Sequence, residues 1–591
     1  MKALLIFPPQ AYPANPYMSV PLLAGQLKNA GYDVTALDLN VKFFNDVLNS
    51  KYLSALYEDI KKMPQIIEEK IKETKDNNSY KYLLEKKQVV ERYVENSSKK
   101  AEYAIKYVDQ AVKTYKSQDF YNPELFSKAF RIASYATDLI SIKYYPMRVN
   151  FGDYYNKYFS MNYDDIVFQT NTNDINIYID YFEEKLPELS LNNYDVIFIS
   201  IPYPNQIVAA FTLAKYIKKN TNVKVCIGGN TITRVAESFK KHKDFFKNFA
   251  DYILLGEAEQ SIVDFMAFLE QKKEIDGVSG LIYLKDDKVV SNPISSFVNV
   301  DNVAEIYLDD YNFKDYFIPE IVLPIQIAKG CYWGKCAFCD FFMGKPTYLP
   351  KKIETVIKEI ETAKNKYGID KFELTDEAIP PQYYFEFANK LLEKNMNIKF
   401  FSMARLEEQY TKENLDKLYK AGLRLLNWGY EATSERVLEK MNKGINPKTR
   451  LEILKNSSEA LIWNRGSFIF GFPGETYEEG MMTVNTIKEN MDIIHSYNAM
   501  QFALRRHSQI TKNIENYDIV SFADTEEFSD NIVIKDKVLK EEEKLDYIKQ
   551  VRDIYQNQNG TRLWRVLMPT SFMLLYLSKY GRDYVRDCVI R

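Results

Sequence analysis

Three of the chain's five cysteines fall within nine residues, Cys331-Tyr332-Trp333-Gly334-Lys335-Cys336-Ala337-Phe338-Cys339. Thiolates this close together in a cysteine-poor chain can wrap one soft metal centre. Their number is informative. A structural zinc ion takes four closed ligands, and a cubane iron–sulfur cluster ordinarily takes four thiolates. Three leave a coordination position open, and an open position can bind a reactant. A zinc reading needs a remote fourth ligand, since the only histidines, His242, His495 and His507, lie outside the loop, as do Cys226 and Cys588. Cys331, Cys336 and Cys339 are therefore the candidate metal ligands of a cluster with one free iron.

The elements around the loop are those of a βα series. A strand at Pro324–Ala328 runs directly into the cysteines. Helix Ile353–Tyr367, strand Lys371–Leu374, helix Gln382–Lys394 and strand Ile398–Ser402 follow. Helix Lys412–Ala421 then leads to strand Leu423–Trp428, and two short helical patterns lead to strand Ser467–Phe470. A glycine loop, Gly471-Phe472-Pro473-Gly474, precedes one more helix and a closing strand at Ala499–Leu504. Six βα steps are too few for an eight-stranded barrel, so the pattern predicts a partial (β/α)6 barrel with its site at the strand ends.

The first half of the chain alternates strands and helices in the same way. Strands read at Ala3–Phe7, Asp33–Leu39, Asp195–Ser200, Lys224–Gly229 and Tyr252–Gly256 predict a doubly wound Rossmann-like sheet. Ligands of such sheets sit outside the carboxyl ends of the strands. Those ends here carry Ser200, Gly228-Gly229-Asn230 and Gly256-Glu257-Ala258-Glu259. A helical insertion, about residues 45–190, separates the second strand from the third, with turns read at Asn77-Asn78-Ser79 and Glu95-Asn96-Ser97. The expected domains are 1–310, 318–510 and a mostly helical 511–591.

At 591 residues, with 46% hydrophobic and 27% charged residues, the chain has ample core for two or more domains. A net charge of −3 gives no general attraction to nucleic acid or to an anionic membrane. No apolar run is long enough to span a bilayer, and the patch Phe572–Leu577, preceded by Pro569, reads as a docked core helix. Few cysteines and no signal-peptide pattern make the cytoplasm the expected compartment.

The cysteine loop, with aromatic Phe338 just before the last cysteine, resembles the radical S-adenosylmethionine (radical SAM) superfamily. That superfamily's usual spacing is C-x3-C-x2-C, and this chain has one more residue between the first two cysteines. Two later segments agree in order. Trp428-Gly429-Tyr430-Glu431-Ala432-Thr433, continuing to Lys443-Gly444, is similar to the superfamily's fourth-strand segment, and Phe470-Gly471-Phe472-Pro473-Gly474-Glu475-Thr476 to its fifth-strand loop. The resemblance implies a 4Fe–4S cluster on the three cysteines and S-adenosylmethionine on the free iron. It further implies cofactor contacts from Phe338, Arg405, Glu431, Gly471 and Pro473. A salt bridge to Arg405 is the plain alternative for Glu431, and a simple turn for Gly471 and Gly474. Asp376-Glu377 reads equally as a ligand contact or a helix cap.

The upstream sheet resembles the cobalamin-binding subgroup of that superfamily, whose members often carry Gly-Gly-Pro and Gly-Glu-Gly-Glu at the points occupied here by Gly228-Gly229-Asn230 and Gly256-Glu257-Ala258-Glu259. Ser200, Gly228, Gly229, Asn230, Gly256 and Glu257 are thereby implied cobalamin contacts. No D-x-H-x-x-G motif is present, so a bound cobalamin would lack a histidine lower ligand. A cofactor-free sheet is the alternative, and the absence of G-x-G-x-x-G after the first strand argues against a nicotinamide. The resemblance implies methylation of an unactivated carbon, with radical cyclisation or ring rearrangement as a second enzymatic reading and an iron–sulfur redox sensor as a nonenzymatic one. The substrate class stays open between a small molecule, a peptide and a lipid. An external electron donor is required, and no nucleic acid is expected. No side chain is singled out as a catalytic acid, base or nucleophile.

Overall fold

The computed structural model describes residues 1–295, 299–340, 348–554 and 561–590. They divide into two compact units, one of residues 1–298, 303–319 and 527–529, the other of residues 299–302, 320–526 and 530–591.

The first unit is built on a seven-stranded sheet of β1 (Lys2–Phe7), β2 (Asp33–Asp38), β5 (Val196–Ser200), β6 (Lys224–Gly228), β7 (Tyr252–Leu254), β8 (Leu281–Lys285) and β9 (Lys288–Ser291). A small hairpin, β3 (Met147–Val149) and β4 (Tyr154–Asn156), stands apart. The sheet order is β2-β1-β5-β6-β7-β8-β9, parallel through β7 and antiparallel beyond it. The central strands are nearly continuous apolar runs because both faces are covered. Ala3, Leu5, Val196, Cys226, Phe265 and Leu281 belong to one buried core on this sheet. The sheet is the Rossmann-like one read from the sequence.

The insertion between β2 and β5 is helical, and its longest member runs unbroken from Asn77 to Tyr115. The turn read at Glu95-Asn96-Ser97 is therefore absent. Asn96 folds its amide back onto the Arg92 carbonyl one turn earlier, and Val90, Ala101, Ala104 and Val108 on either side of it are buried. Continuous packing against helices Ser50–Glu73 and Pro123–Lys143 outweighs the weak local preference of Asn and Ser for turns.

The second unit is a six-stranded parallel sheet, β10 (Val322–Ile325), β13 (Lys371–Leu374), β14 (Lys399–Ala404), β15 (Leu423–Glu431), β16 (Trp463–Phe470) and β17 (Ser496–Gln501), in that spatial order. Between β10 and β13 lies an antiparallel pair, β11 (Ala328–Gly330) with β12 (Tyr348–Pro350). Each barrel strand follows its neighbour around the sheet, which is the partial (β/α)6 barrel expected. Strand bounds differ from the sequence pattern: the strand read at Pro324–Ala328 is split into β10 and β11, β15 runs three residues further, to Glu431, β16 begins four residues earlier, at Trp463, and β17 three earlier, at Ser496. The C-terminal part adds helices Glu541–Asp553 and Thr570–Tyr580, and also a small sheet of Leu504–Arg505, Asn531–Asp536 and Ile519–Ala523. Helix Thr570–Tyr580 packs against β14 and β15, with Ser571 to Leu577 buried. Among the described residues no helix is long and apolar enough to cross a membrane.

Candidate radical and cofactor site

The three cysteines lie immediately after β11, and none is in a disulfide. The start of the strand is fixed by Asp376, whose two carboxylate oxygens accept the amides of Ile327 and Ala328 at 3.0 and 2.7 Å. Asp376 is buried, and burial lifts its carboxyl to about 7 against those bonds. It thus anchors the strand that leads into the cysteine loop.

The residues between the cysteines hold the loop. The Trp333 indole donates to the Asn442 carbonyl at 2.9 Å and lies against Gly444, where a Cβ would come within 2.0 Å of the ring. Gly444 also has φ +63, a left-handed conformation that suits glycine. The Tyr332 hydroxyl donates to Glu407 at 2.6 Å. Arg405, at the end of β14, stacks its guanidinium 4.3 Å over Trp333, pairs with Glu407 at 3.0 Å and donates to the Lys443 carbonyl at 2.8 Å. Ala337 donates to the Met441 carbonyl at 2.9 Å, and Phe338 packs against the buried cluster containing Ala337, Leu438 and Phe472.

Glu431 ends β15 at a register shift and has φ +64. A non-glycine residue costs about 1 kcal/mol there, so its surroundings must hold it. They do so through Lys443, whose ammonium lies 2.6 Å from Glu431 Oε1 with both side chains buried. A Cβ on Gly429 would come within 2.5 Å of that ammonium, so the glycine makes room for the pair. Burial works to lower the Lys443 pKa, but the Glu431 carboxylate and the Cys336 thiol outweigh it and leave it raised. The salt bridge considered for Glu431 therefore exists, but with Lys443 and not with Arg405, whose guanidinium is committed to Glu407 and Trp333.

Burial raises the Cys336 thiol, while the nearby Lys443 and Arg405 charges oppose that rise and Glu431 and Cys331 add to it. Cys331, Cys336, Arg405 and Glu431 stand at the ends of β11, β14 and β15, linked by the Arg405–Trp333, Arg405–Lys443 and Lys443–Glu431 contacts. Lys443, Glu407, Tyr332 and Trp333 complete the group, and sequence reasoning assigned them no role. The Lys-Gly pair after Glu431 was the available signal. Among the described residues no three His, Cys, Asp or Glu side chains converge as they would on a single metal ion. A cubane does not ask for that, because each thiolate binds a different iron. Three cysteines on one loop would supply three of the four ligands a cubane takes and leave one iron open. Glu431 offers an acceptor beside them.

The fifth-strand loop is bent at Gly471 and Gly474, with φ +74 and +79. The Gly471 amide donates to Glu475 Oε2 at 2.6 Å, and burial pushes the Glu475 carboxyl up to about 8. Glu475 Oε1 is buried without a hydrogen-bond partner. Pro473 is buried in the same bend.

In the first unit the register sets Ser200, Gly228 and Leu254 side by side at the carboxyl edge of the sheet. The Ser200 and Ser19 hydroxyls lie 2.7 Å apart. Cβ atoms on Gly228 and Gly229 would strike the backbones of Leu254 and Ile201 at 2.8 and 2.7 Å, so the chain's own packing demands both glycines. Gly256 donates its amide to Thr233, and Asn230 opens a short helix. Glu257 continues the same loop. Asn40, in Asp38-Leu39-Asn40, is buried and accepts the Ala11 amide at 3.0 Å. His242, the only histidine of this unit, stacks on Tyr163 at 4.2 Å and bonds Glu527 at 2.9 Å. None of the residues at this sheet edge is a histidine, so a cobalamin seated there would draw no histidine lower ligand from Ser200, Gly228-Gly229-Asn230 or Gly256-Glu257.

Residues 325–487 match the radical SAM superfamily. The chain is 26% identical over 291 residues to an uncharacterized methyltransferase of Pyrococcus horikoshii, covering 47% of this chain and 61% of that protein. It is 26% identical over 310 residues to the anaerobic magnesium-protoporphyrin IX monomethyl ester cyclase of Cereibacter sphaeroides, covering 50% of this chain and 49% of the cyclase. The alignments thus span about half to three-fifths of these relatives' own lengths. The fold is shared with the radical SAM methyltransferase TsrM of Kitasatospora setae, solved with cobalamin and a [4Fe-4S] cluster bound, at a TM-score of 0.54 and 12% identity, over 94% of this chain and 89% of that one.

Proposed function

We propose that this chain, which carries a radical SAM domain at residues 325–487, is a cobalamin-dependent radical SAM methyltransferase acting on an unactivated carbon. The observation that carries the reading is geometric: the cysteine loop is tied to the segment after β15 by Ala337 on the Met441 carbonyl, Lys443 of that segment pairs with Glu431, and Arg405 bonds the Lys443 carbonyl and stacks on Trp333 of the loop. When bound, the cluster and S-adenosylmethionine supply a 5′-deoxyadenosyl radical by one-electron cleavage of the sulfonium, and cobalamin supplies a methyl carrier.

The protein's own residues hold and orient. Cys331, Cys336 and Cys339 are the cluster ligands. Tyr332 and Trp333, fixed by Glu407, Arg405 and Asn442, set the loop's shape. Glu431 gives Oε1 to Lys443, and its second oxygen is free to accept an ammonium or hydroxyl hydrogen from the cofactor. Gly471 and Pro473 of the fifth-strand bend would line the nucleoside side of the site, with Glu475 Oε1, buried and without a hydrogen-bond partner among the described residues, behind them. Ser200, Gly228-Gly229-Asn230 and Gly256-Glu257 form the cobalamin edge of the first unit.

Similarity to the cyclase supports a second reading, radical ring closure with the same cofactors. Anaerobic reconstitution with iron, sulfide and hydroxocobalamin, followed by product analysis, separates the two. Methylation yields 5′-deoxyadenosine together with S-adenosylhomocysteine, while cyclisation yields deoxyadenosine alone. No cleavage of S-adenosylmethionine under strong reduction, with the cluster intact, would refute both.

A further inference from the structure

On the inner face of the barrel, Arg465 is a cation with no carboxylate partner among the described residues. Phe400 packs against Tyr384 and Phe387 of helix Pro381–Glu393, and Phe372 is its register partner, so both face the helices. Successive side chains of a strand alternate, which turns Glu373 and Phe401 inward. The same register sets Met403, Asn427 and Arg465 abreast on the inner face. On the outer face Trp428 bonds Asn464 at 2.8 Å, and Asn464 bonds the Leu454 carbonyl at 2.7 Å in the helix behind.

Arg465 donates to Thr570 Oγ1 at 2.8 Å and to Asn498 Oδ1 at 2.5 Å, both neutral groups. Its remaining contact is with the Met568 sulfur at 3.8 Å. Among the described residues no carboxylate pairs with it. Arginine stays charged under all ordinary conditions and presents five donors, so a half-buried guanidinium held only by a hydroxyl and an amide has unused capacity for an anion. Beside it Asn427 Oδ1 is buried with no hydrogen-bond partner among the described residues. Met403 and Met500, also on inward positions, are 38% and 49% exposed. The inner face thus carries apolar Met403 and Met500, amides at Asn427 and Asn498 and a cation at Arg465, with helix Thr570–Tyr580 packed on the neighbouring strands β14 and β15.

We propose that Arg465 seats the carboxylate of the substrate, a molecule whose apolar body runs past Met403 and Met500 towards the strand ends. This rests on the function proposed above. The guanidinium fork matches a carboxylate in two parallel hydrogen bonds. Arg465 lies three residues before Phe468, the register partner of Glu431; at about 3.3 Å per residue the carboxylate sits ~10 Å below the level of Glu431. Glu373, across the sheet on β13, has no hydrogen-bond or ion-pair partner among the described residues and repels an anion whenever it is ionised, so the acid head turns towards β16.

Titration calorimetry on the full-length protein tests this with sodium octanoate and its uncharged counterpart octanamide. Wild type should bind octanoate at least tenfold tighter than octanamide. Arg465→Gln should lose that preference, and Arg465→Lys should keep part of it, which separates loss of charge from loss of fold. Equal binding of the two probes to wild type, no octanoate binding, or an unchanged preference in Arg465→Gln would overturn the assignment. Cleavage of S-adenosylmethionine by wild type is measured alongside. Cleavage without the octanoate preference defeats this inference alone, and the preference without cleavage defeats only the proposed chemistry.

Discussion

Lys443 and Glu431 form a buried ion pair at the point where the cofactor site is assembled, so each partner depends on the other. Removing one charge from such a pair leaves the other buried and unpaired, at a cost of about 3–5 kcal/mol. Glu431→Ala should therefore lower unfolding stability in urea by that amount, and Lys443→Met in the same chain should restore most of the loss. Additive losses would show that the two do not act as a pair. Gly444 is the second dependent residue. Gly444→Ala drives a methyl into Trp333 and strains a φ of +63, so the loop must shift. Reconstituted Gly444→Ala should carry less iron per chain than wild type; equal iron would mean that Trp333 does not shape the loop. The cysteine loop, Glu431 and Arg405 were legible as candidates because the first two stand in local motifs and Arg405 directly follows a readable strand. Glu407 and the Lys443 partnership were not, because they are fixed by contacts between strand ends distant in the chain.

Helix Tyr477–Glu489 shows how an element holds the fifth-strand loop in place. Thr476 and Glu479 form a reciprocal cap at its start, and Glu479 also binds Arg436 and Ser434 from the segment after Glu431. The Arg436 guanidinium, with the cap bonds, draws the Glu479 carboxyl down from 4.5 to about 2. A carboxyl lowered on folding adds stability that is present above its unfolded value and is lost as pH falls through the folded one. Wild type should therefore lose stability between about pH 4.5 and pH 2, and Glu479→Gln should show a shallower fall over that range while being about 1 kcal/mol less stable at neutral pH. An unchanged acid profile would contradict the assignment. The sequence pattern revealed the apolar part of each strand more readily than its polar part. The strand Trp463–Phe470 was legible only from Ser467, because Asn, Arg and Gly are poor strand formers. Outward bonds of Asn464 and inward bonds of Arg465 fix its first half, and neither is visible in a hydropathy pattern. The unbroken helix Asn77–Tyr115 teaches the same lesson in reverse, since tertiary burial overrode a turn signal.

At the scale of the molecule, the alternation of strands and helices was enough to foresee a Rossmann-like sheet followed by a partial barrel, because the first sheet through β7 and the whole barrel sheet are parallel and read as apolar runs; the antiparallel edge strands β8 and β9 were not foreseen. The small sheet of Leu504–Arg505, Asn531–Asp536 and Ile519–Ala523 was not foreseen, since its exposed strands carry little apolar periodicity. His242 is committed to Tyr163 and Glu527, and Asn40 to the backbone, so the cobalamin reading carries a spectroscopic consequence. His242→Ala should retain hydroxocobalamin with an unchanged absorption spectrum, whereas a changed spectrum would make that histidine a ligand. The central claim is that the Cys331–Cys339 loop carries a cluster that cleaves S-adenosylmethionine. The most direct measurement is 5′-deoxyadenosine released under dithionite by reconstituted wild type and by Cys336→Ala at equal protein concentration. Release by wild type and none by Cys336→Ala is the predicted result; equal release from both, or none from iron-loaded wild type, would contradict it.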